Sequence, residues 1–248
     1  MKSITFEKRL ARLPPDLLPV FRALSDPFRW ILLDKFPSPG DLSFSQVQTS
    51  TNRPGGFIAP HLHQLEFAGL VQNFIQKRPD SLNYSFYELT AFGSCWVKEL
   101  RQWERQFFSR QDNDLEFLST LCEGLKSAFC CTLAFWLYDQ SPRTFSDLIR
   151  DTHLPKSRLT AELHRLITAQ IIENYFEKRA GTRNYSYYRV TAIGRSFLET
   201  IRQIYTNFYA PKKKDRKNKQ RVLSNLTHLP AGTCSLSEDA REYDFNDI

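Results

Sequence analysis

Apolar positions in this chain switch between two periods, and the whole succession occurs twice. Ile58, Leu62 and Leu65 fall at i, i+4 and i+7, which predicts one buried face of a helix. The period then drops to two through VQNFIQK and NYSFYEL, which predicts a β-hairpin around the loop RPDSL. A helical period returns at Phe92, Trp96, Leu100, Trp103 and Phe107, after Thr90-Ala91-Phe92-Gly93. The succession restarts with Leu159, Leu163 and Leu166, continues through IENYFEK and NYSYYRV around RAGTR, and ends on Ile193, Phe197, Ile201, Ile204 and Phe208. The second long helix follows Thr191-Ala192-Ile193-Gly194.

Shifting the chain by 101 positions aligns Phe44 to Leu100 with Phe145 to Ile201 without a gap, and 18 of the 57 pairs are identical. Among them are Phe44/Phe145, Ser45/Ser146, Pro54/Pro155, Leu62/Leu163, His63/His164, Lys77/Lys178, Arg78/Arg179 and Asn83/Asn184. Other pairs exchange apolar for apolar, such as Val47/Leu148 and Leu70/Ile171, so the copies share a buried pattern. Upstream, Asp26 is a good N-cap and Pro27 sits at the tolerated first position of a helix through FRWILLDKF, which stops at Pro37-Ser38-Pro39-Gly40. Ser45 and Ser146 are expected to begin a short second helix, and a turn at Pro54 or Pro155 leads into the third.

This order, helix, helix-turn-helix, hairpin, helix, predicts a mainly α chain with small β-hairpins (α+β). It would form two winged helix-turn-helix domains in tandem, joined by long helices. The expected boundaries are 1–110 with an N-terminal extension, 111–210, and a tail over 211–248. With 248 residues the length allows one large or two small domains, and the repeat favours two.

Two stretches resemble the ArsR-type winged-helix regulators. Ala23-Leu24-Ser25-Asp26-Pro27-Phe28-Arg29 is similar to that family's first-helix A-L-x-D-P-x-R, and His61-Leu62-His63-Gln64-Leu65-Glu66-Phe67-Ala68-Gly69-Leu70-Val71 to its H-L-x-x-L-x-x-A-G-L-V. The resemblance covers about residues 20–110 directly and 125–209 through the repeat. It implies a DNA-binding transcriptional regulator with the third helix in the major groove and the wing beside the backbone or minor groove. The chain departs from the family at Arg53-Pro54-Gly55-Gly56-Phe57-Ile58-Ala59-Pro60, where two glycines and an internal proline predict a distorted or displaced N-terminal half of the first copy's third helix. The family's Cys-x-Cys sensor motif is absent, so metal sensing does not carry over.

Charge sharpens the asymmetry. The chain has 34 Lys+Arg against 27 Asp+Glu, a net of +7. Copy one holds four basic and four acidic residues, copy two nine against six for +3, and the segment 211–221 seven against one for +6. The positive field belongs to the C-terminal half, which favours a polyanionic partner there.

Candidate contacts to duplex DNA in copy two are Lys156, Ser157, Arg158 and Thr160 at the start of the third helix, with His164 and Arg165 further along. Glu162 on the same helix argues for an ordinary solvated face. Lys178, Arg179 and Arg183 flank the second hairpin loop and Lys77 and Arg78 the first, where cations can meet phosphate. Arg53, His61 and His63 complete the set in copy one. His61 and His63 lie two apart on a helix and point to different sides, so no metal site is expected. Cys122, Cys130 and Cys131 lie in the apolar stretch LCEGLKSAFCCTLAFWLY and read as core thiols. With Cys95 and Cys234 they make an odd number without paired spacing, consistent with reduced thiols.

No phosphate loop, nucleophile elbow, zinc-ligand spacing or paired-carboxylate motif occurs, so the chain is read as a non-enzyme without cofactor. Neither a bilayer-length apolar run nor a signal-peptide pattern is found, and a cytoplasmic, nucleoid-associated protein with no membrane partner is expected. The two long apolar stripes can satisfy each other, which favours a monomeric pseudo-dimer over a homodimer. The tail carries the basic block followed by an acidic end from Ser237-Glu238-Asp239 to Asp247, and is expected to be disordered. The leading expectation is a transcriptional regulator, of repressor type, that occludes duplex DNA mainly through copy two. Alternatives are a winged-helix adaptor that binds protein and a replication-initiator-like DNA-binding protein.

Overall fold

A computed structural model describes residues 5–37, 40–77, 83–107, 115–178 and 184–209. The basic doublet partners Arg78, Arg179 and Arg183 and the tail lie outside these residues. The chain is mixed α plus β and mainly helical, with eleven helices and two small antiparallel sheets among the described residues. The first part runs α1 (Phe6–Leu10), α2 (Leu17–Leu24), α3 (Pro27–Leu33), β1 (Asp41–Ser43), α4 (Phe44–Thr51), α5 (Gly55–Phe67), β2 (Val71–Lys77), β3 (Asn83–Leu89) and α6 (Ala91–Phe107). The second runs α7 (Leu115–Leu125), α8 (Ala128–Gln140), β4 (Arg143–Thr144), α9 (Phe145–Thr152), α10 (Lys156–Thr168), β5 (Ile172–Lys178), β6 (Asn184–Val190) and α11 (Ala192–Tyr209).

Local chemistry sets the element ends, and it does so alike in both copies. The Asp26 carboxylate accepts from the Phe28 backbone N–H at 2.9 Å, with Pro27 in the first turn of α3. Helix α4 starts one residue before the expected Ser45. Its cap is Ser43, whose hydroxyl accepts from the Gln46 N–H at 3.3 Å while the Gln46 amide oxygen accepts from the Ser43 N–H at 2.8 Å. Thr144 and Asp147 form the same box at α9, at 3.1 and 3.3 Å. The apolar stretch through the cysteines is two helices, because Ser127 interrupts it and caps α8 by accepting from Cys130 N–H at 3.0 Å. Helix α5 is assigned without a break from Gly55 to Phe67, with Pro60 inside it. Pro60 lies within two turns of the helix start and removes a single intrahelical donor.

Each hairpin gains a short third strand, giving the orders β1-β3-β2 and β4-β6-β5. The hairpins keep the registers Val71↔Leu89 to Lys77↔Asn83 and Ile172↔Val190 to Lys178↔Asn184. The long helices then leave the sheets at a point of close backbone approach. A Cβ on Gly93 would lie 1.9 Å from the Leu70 carbonyl oxygen, and one on Gly194 2.1 Å from that of Ile171. Thr90 locks this corner by donating to Gly69 O at 2.6 Å and accepting from Gly93 N–H at 2.8 Å. Thr191 does the same with Gln170 O at 2.7 Å and Gly194 N–H at 2.8 Å.

One hydrophobic cluster runs through both copies. Equivalent helices of the two copies meet each other: α2 packs on α7, and α6 on α11. In the α6–α11 seam Trp103 lies 5.2 Å from Phe197 between ring centroids, Trp96 lies 5.8 Å from Tyr205, and Phe92 lies 4.9 Å from Phe208. The Trp103 indole N–H donates to the Ser196 hydroxyl at 3.1 Å. Each large side chain buried here contributes about 1.5–3 kcal/mol. The apolar stripes thus meet each other over most of their length, while Phe107 and Phe208 at their ends stay about two-fifths exposed. Helix α1 lies on α8, with Phe6 5.3 Å from Trp136 and Arg9 paired to Asp139 at 2.6 Å. Among the described residues no helix is long and apolar enough to cross a membrane.

Candidate nucleic-acid interface

Helix α10 buries Leu159, Glu162, Leu163 and Leu166, so helical geometry centres its outward face on Ser157, Ala161, His164 and Thr168. All four are exposed, as are Lys156, Arg158, Thr160 and Arg165 at the flanks. Every residue expected on this helix to meet DNA therefore lies on one solvent-facing surface. The hydroxyl of Thr160 donates to the Lys156 carbonyl at 2.9 Å, and His164 Nδ1 lies 3.4 Å from the Thr168 hydroxyl.

Glu162, which counted against groove contact, is turned inward and only 6% exposed. Its carboxylate accepts from the Ser127 hydroxyl at 3.2 Å, the Cys130 thiol at 2.8 Å and the Arg165 guanidinium at 3.1 Å. It ties α10 to the start of α8 and adds no negative charge to the outward face. Burial, and then the bond to Glu162, pushes the Cys130 thiol up to about 12, while burial pushes Cys122 and Cys131 up as well. These thiols stay protonated and unreactive.

Arg158 has a partner that periodicity does not reveal. Its guanidinium lies 3.9 Å from the centre of the Phe129 ring, on α8. This cation–π contact holds the guanidinium against α8 while Arg158 stays exposed to solvent. The signal was an aromatic residue in the first turn of α8, two helices earlier, and nothing in linear spacing links it to Arg158.

The equivalent surface of α5 is chemically different. Gly56, Pro60, His63 and Phe67 take the places of Ser157, Ala161, His164 and Thr168, with Phe57 and Ala59 beside them. Phe67 is 70% and Phe57 44% exposed. Arg53 is exposed and lies 5.6 Å from the Phe57 ring centre, and His63 faces solvent. His61 does not. Its ring sits 4.9 Å from Phe28 and 5.0 Å from Phe57, with Nδ1 3.5 Å from an Asp26 oxygen. Burial lowers its pKa against the opposing pull of Asp26, and Arg29 lowers it further. The structure therefore separates the two histidines, His63 to the surface and His61 to the α3–α5 junction. Lys77 and Lys178 end β2 and β5, at the outer ends of the hairpins.

Compared with known proteins, the chain matches no family model and no curated sequence. The functional reading therefore rests on the residues and their geometry.

Proposed function

We propose that the protein is a duplex-DNA-binding regulator built from two winged helix-turn-helix units, with α10 as the principal groove-reading helix. The observation that carries this reading is the outward face of α10: hydroxyl, imidazole, ammonium and guanidinium donors on one exposed surface, with the only carboxylate of the helix turned away. Such donors suit phosphate oxygens and base edges. The basic block at 211–221 adds sequence-independent attraction. The two units are unequal, because α5 offers glycine, proline and phenylalanine where α10 offers donors. Repression by occlusion, at the nucleoid, follows from a non-enzymatic protein that holds a duplex.

The test is titration of a labelled random duplex at several salt concentrations. Phosphate contact gives a logarithmic loss of affinity with salt, with a slope of about −0.9 per phosphate neutralised. Replacing both Lys156 and Arg158 with alanine should weaken binding by about tenfold or more. Unchanged affinity would remove α10 from the interface.

A second reading has its own observation. Phe57 and Phe67 of α5 are exposed where copy two has Arg158 and Thr168. This favours protein contact by copy one, as an adaptor or within an initiation assembly. A protein that binds no duplex at any salt concentration would leave this reading in place of the first.

A further inference from the structure

The two hairpins agree over most of one face and hardly at all on the other. Register places residues 71, 73, 75, 77, 83, 85, 87 and 89 on one face of β2–β3 and residues 172, 174, 176, 178, 184, 186, 188 and 190 on the matching face of β5–β6. Five of these eight pairs are identical, Asn73/Asn174, Lys77/Lys178, Asn83/Asn184, Ser85/Ser186 and Tyr87/Tyr188, and the others, Val71/Ile172, Leu89/Val190 and Ile75/Phe176, exchange apolar for apolar. On the opposite face, at 72, 74, 76, 84, 86 and 88, only Tyr84/Tyr185 is identical, and the stacked pair Phe74–Phe86 has become Tyr175–Tyr187.

Folding accounts for part of the retained face. Tyr87 and Tyr188 pack at its inner end on Phe44 and Phe145, 6.4 Å away in each copy. An amide–hydroxyl tie crosses the strands, with Asn73 donating to Ser85 at 2.7 Å and Ser186 donating to Asn174 at 2.8 Å. Folding does not account for Ile75 and Phe176. They are 70% and 72% exposed, opposite the small residues Ser85 and Ser186 that leave them uncovered. Leaving such side chains in water forgoes the gain of burying them. Both copies nevertheless hold a large apolar residue there.

We propose that Ile75 and Phe176 are wedges that enter the minor groove of a DNA duplex and part adjacent base pairs, bending the duplex at two places. The proposal rests on the duplex reading above. Each wedge is a single apolar side chain beside Asn73 and Ser85 or Asn174 and Ser186, on a strand that ends at Lys77 or Lys178 and is followed in the sequence by an arginine. That setting fits polar base edges and sugars flanked by phosphates, and minor-groove proteins use apolar residues in this way. A lipid or protein surface would instead call for a contiguous apolar patch. The retained face is also the one that α4 and α9 cover at its inner end, so it turns toward the helix-turn-helix of its own unit. Copy one, whose α5 carries no cation and only His63 and Gln64 as exposed side-chain donors, would then touch DNA through its hairpin.

The experiment uses the full chain and A/T-rich duplexes carrying 2-aminopurine at successive steps, with an end-to-end FRET pair to report bending. At saturating protein the wild type should raise 2-aminopurine fluorescence at two steps and shorten the end-to-end distance. Ile75→Ser with Phe176→Ser should leave the duplex straight and weaken binding by about tenfold. Each single variant should lose one of the two unstacked steps, and Phe176→Leu should keep both. Circular dichroism should show all variants folded, since the positions are exposed. A straight, stacked duplex bound by the wild type, or a double variant that bends DNA as well as the wild type does, overturns the wedge while leaving the duplex reading intact. Absence of any salt-dependent binding by the wild type is a separate signal, and it overturns both.

Discussion

The corner that joins each sheet to its long helix gives the sharpest test of the fold. Replacing Gly194 with alanine sets a Cβ 2.1 Å from the Ile171 carbonyl oxygen, more than an ångström inside ordinary contact. The obstacle is backbone, so α11 must move away from the end of the hairpin. That movement strains the two bonds of Thr191, to Gln170 O at 2.7 Å and from Gly194 N–H at 2.8 Å. Each such bond contributes about 0.5–1.5 kcal/mol, and overpacking a tight site costs about 1–3 kcal/mol. Against this stands the gain of about 0.5–1 kcal/mol that alanine has over glycine inside a helix. The expected net loss is about 2–3 kcal/mol, or a fall of about 1 M in the urea midpoint for a slope near 2 kcal/mol/M. Gly93→Ala should behave alike, because its Cβ would meet Leu70 O at 1.9 Å. Gly56→Ala is the control: nothing lies within 4 Å of its Cβ, so it should stabilise α5 slightly. Urea unfolding followed by circular dichroism measures all three. If Gly194→Ala and Gly56→Ala shift the midpoint in the same direction and by similar amounts, the close approach is not what the corner depends on.

Four further outcomes are expected. Trp103→Ala, in the α6–α11 seam, should cost about 3–5 kcal/mol and lower a single urea transition shared by both copies; two separated transitions would contradict one continuous core. Static light scattering should give one chain mass of 29.1 kDa, since the seam is filled within the chain, and twice that mass would show that another surface pairs copies. His61 is held neutral by burial, so its pKa lies below the ordinary 6.5 in the folded state and the unfolded chain takes up the proton first. Its contribution is therefore full above that value and is lost as pH falls below it; urea midpoints between about pH 7.5 and pH 5.5 should converge for wild type and His61→Gln as the pH drops. Phe129→Ala should remove the stack under Arg158, weakening duplex binding by several-fold with a stability loss that Phe129→Leu shares; equal affinity for alanine and wild type would show that the stack does not orient the guanidinium.

Two classes of feature were legible in the residues for the same reason: both are periodic. The strands β2, β3, β5 and β6 coincide with VQNFIQK, NYSFYEL, IENYFEK and NYSYYRV, because alternation over seven residues identifies a strand by itself. The outward face of α10 was legible because Leu159, Leu163 and Leu166 fix which side is buried. Strands β1 and β4 were not, since segments of three and two residues have no period and exist only by pairing with Leu42↔Tyr87 and its neighbours, or with Arg143↔Tyr188. The inward turn of His61, the burial of Glu162 against Ser127 and Cys130, and the Phe129 ring beneath Arg158 all depend on residues far apart in the chain or on neighbouring helices.

The sequence by itself determined that this chain is a duplication, where its hairpins and third helices lie, and that positive charge is concentrated in its second half. Those properties are local or additive, so spacing and counting suffice to read them. Only the tertiary structure decided that the copies share one core through α2 on α7 and α6 on α11, that His61 turns to the α3–α5 junction, and that the carboxylate of Glu162 leaves the α10 surface free of negative charge. Each of these is a contact between segments brought together by folding, and the free energy of such contacts depends on what stands opposite, which no single stretch of sequence contains.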